Sequence, residues 1–306
     1  MLDFSDQVVV VTGAGRGLGR LYALELARRG AAVVVNDVGG TMGGDGTDPV
    51  VADQVVAEIE ADGGRAAASH DSVATPEGGR AIVDTALSRF GRLDAVVSNA
   101  GIFQTLPFED LPPEDWRRMI DVHLHGGFHL AQPAFTAMRR QGAGRFVFVA
   151  SSAGLFGQPH SAHYAAAKAG LVGLANVIAI EGAAHGILAN TVLPFGTTRM
   201  VTETVGDIGE SEFLRAIDPA LVVPLVVYMA SRACTVTHHN YSACAGRYAR
   251  AFVGLAEGWL APSGTTPAAE DIAAHWDAVS ATDPYTVPTS IFDEIAGVCR
   301  RLGISA

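Results

Sequence analysis

A tyrosine and a lysine four residues apart could perform acid/base chemistry in this chain. Tyr164 and Lys168 lie in an alanine-rich segment predicted to be helical, and this spacing places both side chains on one helix face. Lys168 is the only lysine in the 306 residues. Arginine-rich codon usage would explain the arginines but not this exception, because an ammonium and a guanidinium are not interchangeable. The pattern therefore predicts that position 168 requires an ammonium.

A phenol beside an ammonium is suited to proton transfer near neutral pH. The pKa of a free tyrosine is about 10, and a nearby positive charge favours the phenolate. Lowering this pKa by about 3 units corresponds to about 4 kcal/mol. Ser151 follows a predicted strand and could hold a carbonyl or hydroxyl oxygen against Tyr164. We predict that Ser151, Tyr164 and Lys168 assist hydride transfer by general acid/base catalysis.

A glycine turn between the first predicted strand and helix indicates a dinucleotide site. Residues 12–19 read TGAGRGLG, a T-G-x-x-x-G-x-G pattern. Glycines allow the backbone to approach a pyrophosphate, whose charge the helix N-terminus stabilises. The pattern is informative because it lies directly between a strand and a helix. The predicted cofactor contacts in this turn are Gly13, Arg16, Gly17, Leu18 and Gly19.

An acidic residue after the second predicted strand favours NAD over NADP. Asp37 lies 18 residues beyond Gly19, where a carboxylate can bind an adenosine ribose and repel a 2′-phosphate. Arg16 is a contrary signal, because it could pair with that phosphate, and Asp37 could also be an ordinary loop acid. Ligands bind beyond the carboxyl ends of parallel strands. The further cofactor contacts predicted there are Asp71, Ser72, Asn99, Ala100 and Gly101.

The hydrophobic pattern predicts the elements that position these residues. Apolar runs alternate with helical patterns, which indicates an α/β fold: a doubly wound, Rossmann-type parallel sheet with helices on both faces and a C-terminal helical tail. Strands are predicted at 8–11, 32–35, 66–69, 93–97, 145–150 and 188–193, and helices at 17–29, 49–61, 76–90, 114–140, 161–184 and 219–230. A last strand with edge structure is predicted within 241–256, and a tail helix at 269–279. We expect a flexible surface loop at 39–46, a mobile loop at 195–212, an NAD-binding domain at 1–260 and an extension at 261–306 near the substrate site or a dimer interface.

Composition limits the partners and the compartment. A net charge of −11 argues against a nucleic-acid partner. Three cysteines form neither a CxxC pair nor an even disulfide framework, which favours a reducing compartment. We expect no membrane partner and a cytoplasmic location, since neither a signal core nor an apolar run of about 18 residues is found. Ten histidines show no zinc-type spacing, so no metal site is expected.

The glycine turn, Asn99-Ala100-Gly101, Ser151 and Y-x-x-x-K, in this order, resemble the short-chain dehydrogenase/reductase family over about residues 5–260. The resemblance implies that Tyr164 is the acid/base, that Lys168 lowers its pKa and binds the nicotinamide ribose, and that Ser151, with Ser152 as the alternative, positions the substrate. It also implies contacts with the nicotinamide amide from Pro194 and Thr198. The family usually has an asparagine where this chain has His123, for which we expect a supporting relay role or a structural one.

A narrower resemblance extends into the tail. The sequences VNDVGG at 35–40, VHLHG at 122–126 and LAN at 174–176, together with residues 269–298, are similar to the (3R)-hydroxyacyl-CoA dehydrogenase domains of peroxisomal multifunctional enzymes type 2. This implies NAD-dependent conversion of 3-hydroxyacyl-CoA to 3-oxoacyl-CoA, a homodimer or homotetramer, and a hydratase on a separate chain. The final residues do not form a peroxisomal address. A hydroxysteroid (17β-type) dehydrogenase, a 3-oxoacyl reductase and a dinucleotide-binding scaffold without turnover remain open.

Overall fold

A mainly parallel sheet lies at the centre of the computed structural model, which describes residues 2–197 and 212–305. Its strands are β1 (Val8–Thr12), β2 (Ala32–Asn36), β3 (Arg65–Ser69), β4 (Ala95–Ser98), β5 (Gly144–Val149), β6 (Ile187–Pro194), β7 (His239–Cys244) and β8 (Arg247–Ala251). The strand order is β3-β2-β1-β4-β5-β6-β7-β8, and β1 to β7 pair in parallel. The order reverses between β1 and β4, the switch point at which such sheets bind ligands.

Helices cover both faces of this sheet. They are α1 (Gly17–Arg28), α2 (Val50–Ala61), α3 (Pro76–Phe90), α4 (Pro113–Ile120), α5 (Gly126–Gln141), α6 (Ser152–Phe156), α7 (Ala162–Gly182), α8 (Glu212–Ala216) and α9 (Val223–Ala230). The predicted α/β doubly wound fold is confirmed. Ends differ from prediction by one or two residues in most elements, because fraying at a terminus has little effect on hydrophobic periodicity.

The alternation of strand side chains explains the two-sided core. All five residues of β1 are buried, and successive residues point to opposite faces. Val9 and Val11 pack in the cluster formed with α1, α2 and α9, whereas Val8 and Val10 pack in the cluster formed with α3, α5 and α7. A strand with both faces buried has no polar alternation, which is why the run VVVV predicts a central strand.

The predicted helix at 114–140 is divided in the structure. Between α4 and α5, residues Asp121–His125 form a π-helical turn. Such turns insert one extra residue in the helical repeat and are common at functional sites. This turn buries the His123 side chain, which is 3% exposed. Local periodicity did not reveal the turn, because the flanking segments keep a helical pattern.

The chain divides into two compact units, 1–250 and 251–306. The second unit contains a short antiparallel pair, β9 (Leu255–Ala256) and β10 (Tyr285–Thr286), and helices α10 (Ala269–Ala274), α11 (Trp276–Ser280) and α12 (Ile291–Leu302). Within it Trp259 stacks on His275 at 4.3 Å, and Phe252 stacks on Tyr285 at 5.8 Å. The expected position of 261–306 near the substrate site or a dimer interface stays a prediction.

One helix in the described part of the chain, Ala162–His185, is long and apolar enough by length and composition to cross a membrane. It contains α7, whose residues Leu171, Ala175 and Ile178 are buried against the sheet. Buried core helices of soluble proteins meet the same length and composition test. Core packing explains the buried face of this helix, whereas Val177 and Ile180 of the same helix are exposed.

Candidate active site

The glycine turn after β1 is compact enough to require glycine at several positions. Gly13 has a φ of +62°, and a Cβ there would lie 2.8 Å from the Cα of Ala100. A Cβ at Gly19 would lie 2.1 Å from the carbonyl oxygen of Gly13. Helix α1 begins at Gly17, so its first backbone amides face the turn. The turn therefore has the backbone cradle and helix N-terminus that a pyrophosphate needs.

The carboxylate of Asp37 joins this turn to the loop after β2. Its Oδ2 accepts a hydrogen bond from Gly15 N at 2.9 Å, and its Oδ1 accepts one from Gly39 N at 2.7 Å. Each oxygen keeps a second lone pair, so ribose hydroxyls could still donate to it. Arg16 Nη1 donates to Gly40 O at 3.1 Å, and Arg16 also lines the cavity. The use of Asp37 to select NAD stays a prediction, and Arg16 remains a contrary signal.

The segment after β4 is fastened to the glycine turn. Thr12 Oγ1 accepts hydrogen bonds from the backbone amides of Asn99 and Ala100, both at 3.0 Å. The Asn99 side-chain amide donates to Thr12 O at 3.0 Å and to Gly13 O at 3.2 Å. Asn99 thus holds the cofactor turn through hydrogen bonds to its backbone, and the predicted contact of Asn99 with a cofactor stays a prediction.

The three predicted catalytic side chains converge at the end of β5. Tyr164 and Lys168 lie on α7, with Lys168 Nζ 5.5 Å from the centre of the Tyr164 ring. Lys168 Nζ donates to Val149 O at 2.6 Å, and the hydroxyl of Ser151 accepts from Ala153 N at 3.1 Å. Ser151 also forms a hydrogen bond with Tyr164, which favours the phenolate. These contacts place a hydroxyl, a phenol and an amine in one small region.

Burial dominates the electrostatics of this region. It raises the pKa of Tyr164, against the smaller lowering by the Ser151 hydrogen bond, and it lowers the pKa of Lys168 to about 7. The expectation that Lys168 lowers the Tyr164 pKa stays a prediction, because in this structure burial is the largest influence on both groups. Local sequence patterns contain no measure of this desolvation.

His123 lies against the tyrosine ring. Its Nε2 lies 2.7 Å from Ile102 O and 3.1 Å from Ile102 N, and its ring meets the Tyr164 ring edge-on with centroids 5.3 Å apart. Burial, followed by the charge of Lys168, lowers the His123 pKa well below its usual value. A Cβ at Gly101 would lie 2.4 Å from His123 Cε1. His123 is thus a neutral, tightly packed ring beside Tyr164, and a relay role for it stays a prediction.

A single cavity of about 620 Å³ brings together most of the predicted site residues. Gly19 is not in its lining, because it packs on the backbone of Gly13. Thr198 lies outside the residues that the structure describes. The predicted residues that line the cavity are Gly13, Arg16, Gly17, Leu18, Asp37, Asp71, Ser72, Asn99, Ala100, Gly101, His123, Ser151, Tyr164, Lys168 and Pro194. Their arrangement, from glycine turn to tyrosine, fits an extended dinucleotide.

The cavity wall also contains residues that the sequence analysis missed. Apolar side chains of Ile102 and Phe103 line it next to Tyr164, and Phe213 and Ile217 from the segment around α8 also belong to its wall. Gly40, Thr41, Met42 and Gly44 line it as well, so the segment 39–46 lies at the surface as expected and also forms part of the cavity wall. The sequence contains one signal for a buried contact in this segment, because Met42 is the only large apolar residue between Val38 and Val50.

Comparisons with known proteins agree with this geometry. The family model described as short chain dehydrogenase matches residues 7–210. A short-chain type dehydrogenase/reductase of Mycobacterium tuberculosis is 44% identical over 90% of this chain and 94% of its own length. Peroxisomal multifunctional enzyme type 2 of Mus musculus is 45% identical over 76% of this chain, and the match spans only 31% of that enzyme.

Solved structures show the same relationship. Full-length peroxisomal multifunctional enzyme type 2 from Drosophila melanogaster superposes with a TM-score of 0.81 and 32% identity, covering 99% of this chain and 50% of that one. A 7α-hydroxysteroid dehydrogenase in complex with NADH and 7-oxo glycochenodeoxycholic acid superposes with a TM-score of 0.72 and 26% identity, covering 80% of this chain and 95% of that one. The chain belongs to the short-chain dehydrogenase/reductase family of oxidoreductases.

Proposed function

We propose that this protein is an NAD-dependent dehydrogenase that converts a 3-hydroxyacyl-CoA to a 3-oxoacyl-CoA and catalyses the reverse reaction. The observation that carries the proposal is the convergence of Ser151, Tyr164 and Lys168 in the same cavity as the glycine turn and Asp37. A bound nicotinamide cofactor supplies the hydride acceptor. The protein supplies the groups that hold the alcohol oxygen and remove its proton.

The proton of the substrate hydroxyl passes to the Tyr164 oxygen in this scheme. Ser151 holds the substrate oxygen next to the phenol, and its bond to Tyr164 favours the phenolate form. Lys168 donates to Val149 O and so has its amine fixed beside the ring. Its remaining N–H groups are available for a ribose hydroxyl of the cofactor. The three side chains thereby orient the reacting alcohol and accept its proton.

The cofactor preference rests on the charge of Asp37. Its carboxylate lies at the end of β2, where an adenosine ribose would be bound in this fold. A 2′-phosphate at that place would meet the carboxylate, whereas a 2′-hydroxyl could donate to it. Arg16 also lines the cavity with its positive charge intact, and it donates to Gly40 O. The charge of Asp37 is the reason that we propose NAD rather than NADP.

The proposed acyl-CoA substrate is supported by the multifunctional-enzyme relatives and by apolar side chains in the cavity wall. Ile102, Phe103, Phe213 and Ile217 provide an apolar wall for an acyl chain. The same wall would accept a steroid, and the hydroxysteroid dehydrogenase named above favours this second candidate. A direct assay with both substrate classes distinguishes the two candidates.

NADH formation provides that assay. The protein is incubated with NAD or NADP and with (3R)- and (3S)-hydroxyacyl-CoAs of several chain lengths, or with hydroxysteroids, and reduced cofactor is followed by absorbance. We expect turnover of (3R)-hydroxyacyl-CoA with NAD. Turnover of hydroxysteroids alone would replace the substrate proposal with the second candidate. Absence of turnover with every alcohol would contradict the enzymatic proposal and leave a dinucleotide-binding scaffold.

Matched variants test the residues. Tyr164→Phe should lower kcat by about 10³-fold, in the range typical of a lost general acid/base. Tyr228→Phe is the control, because Tyr228 lies on α9 outside the cavity lining. Full activity of Tyr164→Phe would contradict the proposed mechanism.

We further propose that the protein forms a homodimer or homotetramer, acts with a hydratase on a separate chain and is located in the cytoplasm. Several relatives have names that place them in the peroxisome, which is therefore the alternative location.

A further inference from the structure

Residues 39–46 form a closed loop next to the cavity, and we name this segment the strap. Its two ends meet at a narrow neck, where Asp48 N donates to Val38 O at 2.9 Å. Inside the strap, Thr41 N donates to Asp45 O at 2.8 Å, and Gly44 N donates to Thr41 O at 3.1 Å. These bonds give the strap a fixed turn of its own, in a segment rich in glycine.

The strap is attached to the unit at three further points. Arg16 donates to Gly40 O at 3.1 Å near the cofactor turn. On the other side, Arg118 of α4 donates to Gly43 O at 3.2 Å and to Asp45 Oδ1 at 3.1 Å. Between these, the backbone amide of Phe103 donates to Met42 O at 3.0 Å. The strap therefore bridges the two ends of the cavity.

The side chain of Met42 packs at the reactive end. It lies against the apolar cluster that contains Ile102, Phe103, Met119 and Tyr164, and it lines the cavity. A methionine fills irregular apolar gaps well, because it is unbranched and polarizable. The strap thus contributes both a backbone acceptor and an apolar side chain to the segment 102–103.

That segment holds the Tyr164 ring from two sides. Phe103 meets the ring edge-on, with centroids 5.0 Å apart and an angle of 88° between planes. His123 meets it edge-on at 5.3 Å and 89°, and its Nε2 is bonded to the backbone of Ile102. Edge-on contacts at these distances are favourable and fix ring orientation. A shift of 102–103 would therefore alter both contacts together.

We propose that Met42 is a positioning residue for the acid/base Tyr164, acting through Phe103. The inference rests on the proposed function, in which Tyr164 accepts the substrate proton. Met42 does not touch the reacting atoms in this proposal. Its carbonyl oxygen and side chain hold Phe103, Phe103 holds the phenol ring, and the strap closes this wall of the cavity against water.

Truncation of Met42 provides the first test. Met42→Ala should lower kcat by about tenfold, the size expected when an aromatic contact that orients the reacting group is loosened. Met42→Leu should restore most of the activity, because it keeps the apolar volume. The KM for the alcohol should change less than kcat. An unchanged kcat in Met42→Ala, or a loss that appears only in NADH affinity, would overturn the proposal.

The ionisation of Tyr164 gives a readout independent of turnover. Tyrosinate absorbance is titrated in each Met42 background, and the matching Tyr164→Phe protein is subtracted to isolate this phenol. The titratable groups that face it are His123 and Lys168, and burial is the main cause of its raised pKa. Met42→Ala should move this pKa down towards its ordinary value by admitting water, while Met42→Leu leaves it in place. A lower kcat with an unchanged titration would also overturn the proposal.

Release of the strap from α4 completes the test. Arg118→Ala removes the bonds to Gly43 and Asp45 and should lower kcat in the same direction as Met42→Ala. Arg117→Ala is the control, since Arg117 is exposed on the same helix and the described contacts give it no partner in the strap. If Tyr164→Phe keeps full activity, the proposed function fails. If Tyr164→Phe is inactive while Met42→Ala and Arg118→Ala are fully active, only the strap proposal fails.

Discussion

Replacement of Lys168 by methionine should make the protein more stable at neutral pH. Lys168 is 4% exposed, and burial lowers its pKa from 10.5 to about 7. In the unfolded chain the amine keeps its ordinary pKa and binds a proton more tightly. The folded pKa is the lower of the two, so the contribution of this residue to stability falls as pH decreases from 10.5 to about 7. Methionine has a similar length and no proton to lose.

The size of the effect follows from the two pKa values. Each pH unit between them is worth about 1.4 kcal/mol, so the buried amine costs the fold about 4 kcal/mol near pH 7. Near pH 9 the folded amine is neutral and about 2 kcal/mol of this cost remains. The stability gained by Lys168→Met should therefore shrink by about 2 kcal/mol between these pH values. The lost bond to Val149 O affects both measurements and cancels in their difference.

Equilibrium urea unfolding near pH 7 and pH 9 measures this difference at a fixed protein concentration. Tyr164→Phe is the control, because the phenol stays protonated in both states over most of this interval and should leave the pH dependence unchanged. A stability difference between Lys168→Met and the parent protein that is equal at both pH values would refute the reasoning. Lys168 would then be as charged in the folded protein as in the unfolded chain.

Three further predictions concern single side chains. Asp37→Ala should weaken NAD binding by about tenfold, because one charge-assisted hydrogen bond to the cofactor is lost. The variant should also bind NAD and NADP with more similar affinities. Binding titrations in which the ratio of the two dissociation constants is unchanged would contradict this prediction. Gly101→Ala should destabilise the fold by about 1 to 3 kcal/mol, because its Cβ would clash with His123, whereas Gly173→Ala, with open space around it, should not. His163 is fully buried and neither ring nitrogen has a hydrogen-bond partner among the described residues, so His163→Leu should raise the unfolding free energy by about 1 kcal/mol near neutral pH. The gain should grow below pH 6.5, where the lowered pKa of His163 makes the parent protein lose stability; thermal unfolding at two pH values checks this.

The elements of the first unit could be predicted because their signals are local. A run of four valines predicts that strand β1 is buried, and the glycine turn predicts where helix α1 begins. The residues beyond the strand ends could also be predicted, since parallel strands bring their carboxyl ends together. These rules depend on chain order and on short patterns, so a single sequence contains enough information for them.

The contacts of the strap and the pKa values of the buried site residues could not be predicted from local sequence patterns. The contact of Met42 with Phe103 joins segments about 60 residues apart, and no local pattern encodes it. The Lys168 pKa depends on how completely surrounding elements exclude water, which is a property of packing. Helix α12 differs from these features, because its amphipathic pattern at 291–302 is local and could have been predicted within the helical tail.

The narrow neck of the strap has a consequence for protein engineering. Because the chain leaves Val38 and returns at Asp48 through one backbone hydrogen bond, we expect changes in the intervening residues to affect the cavity wall more than the spacing of β2 and α2. Gly39 must be kept, since a Cβ there would lie 2.1 Å from Asp48 O. Segments of other lengths and polarity could be inserted between Val38 and Asp48. The neck is therefore a site at which the wall of the cavity could be varied by design.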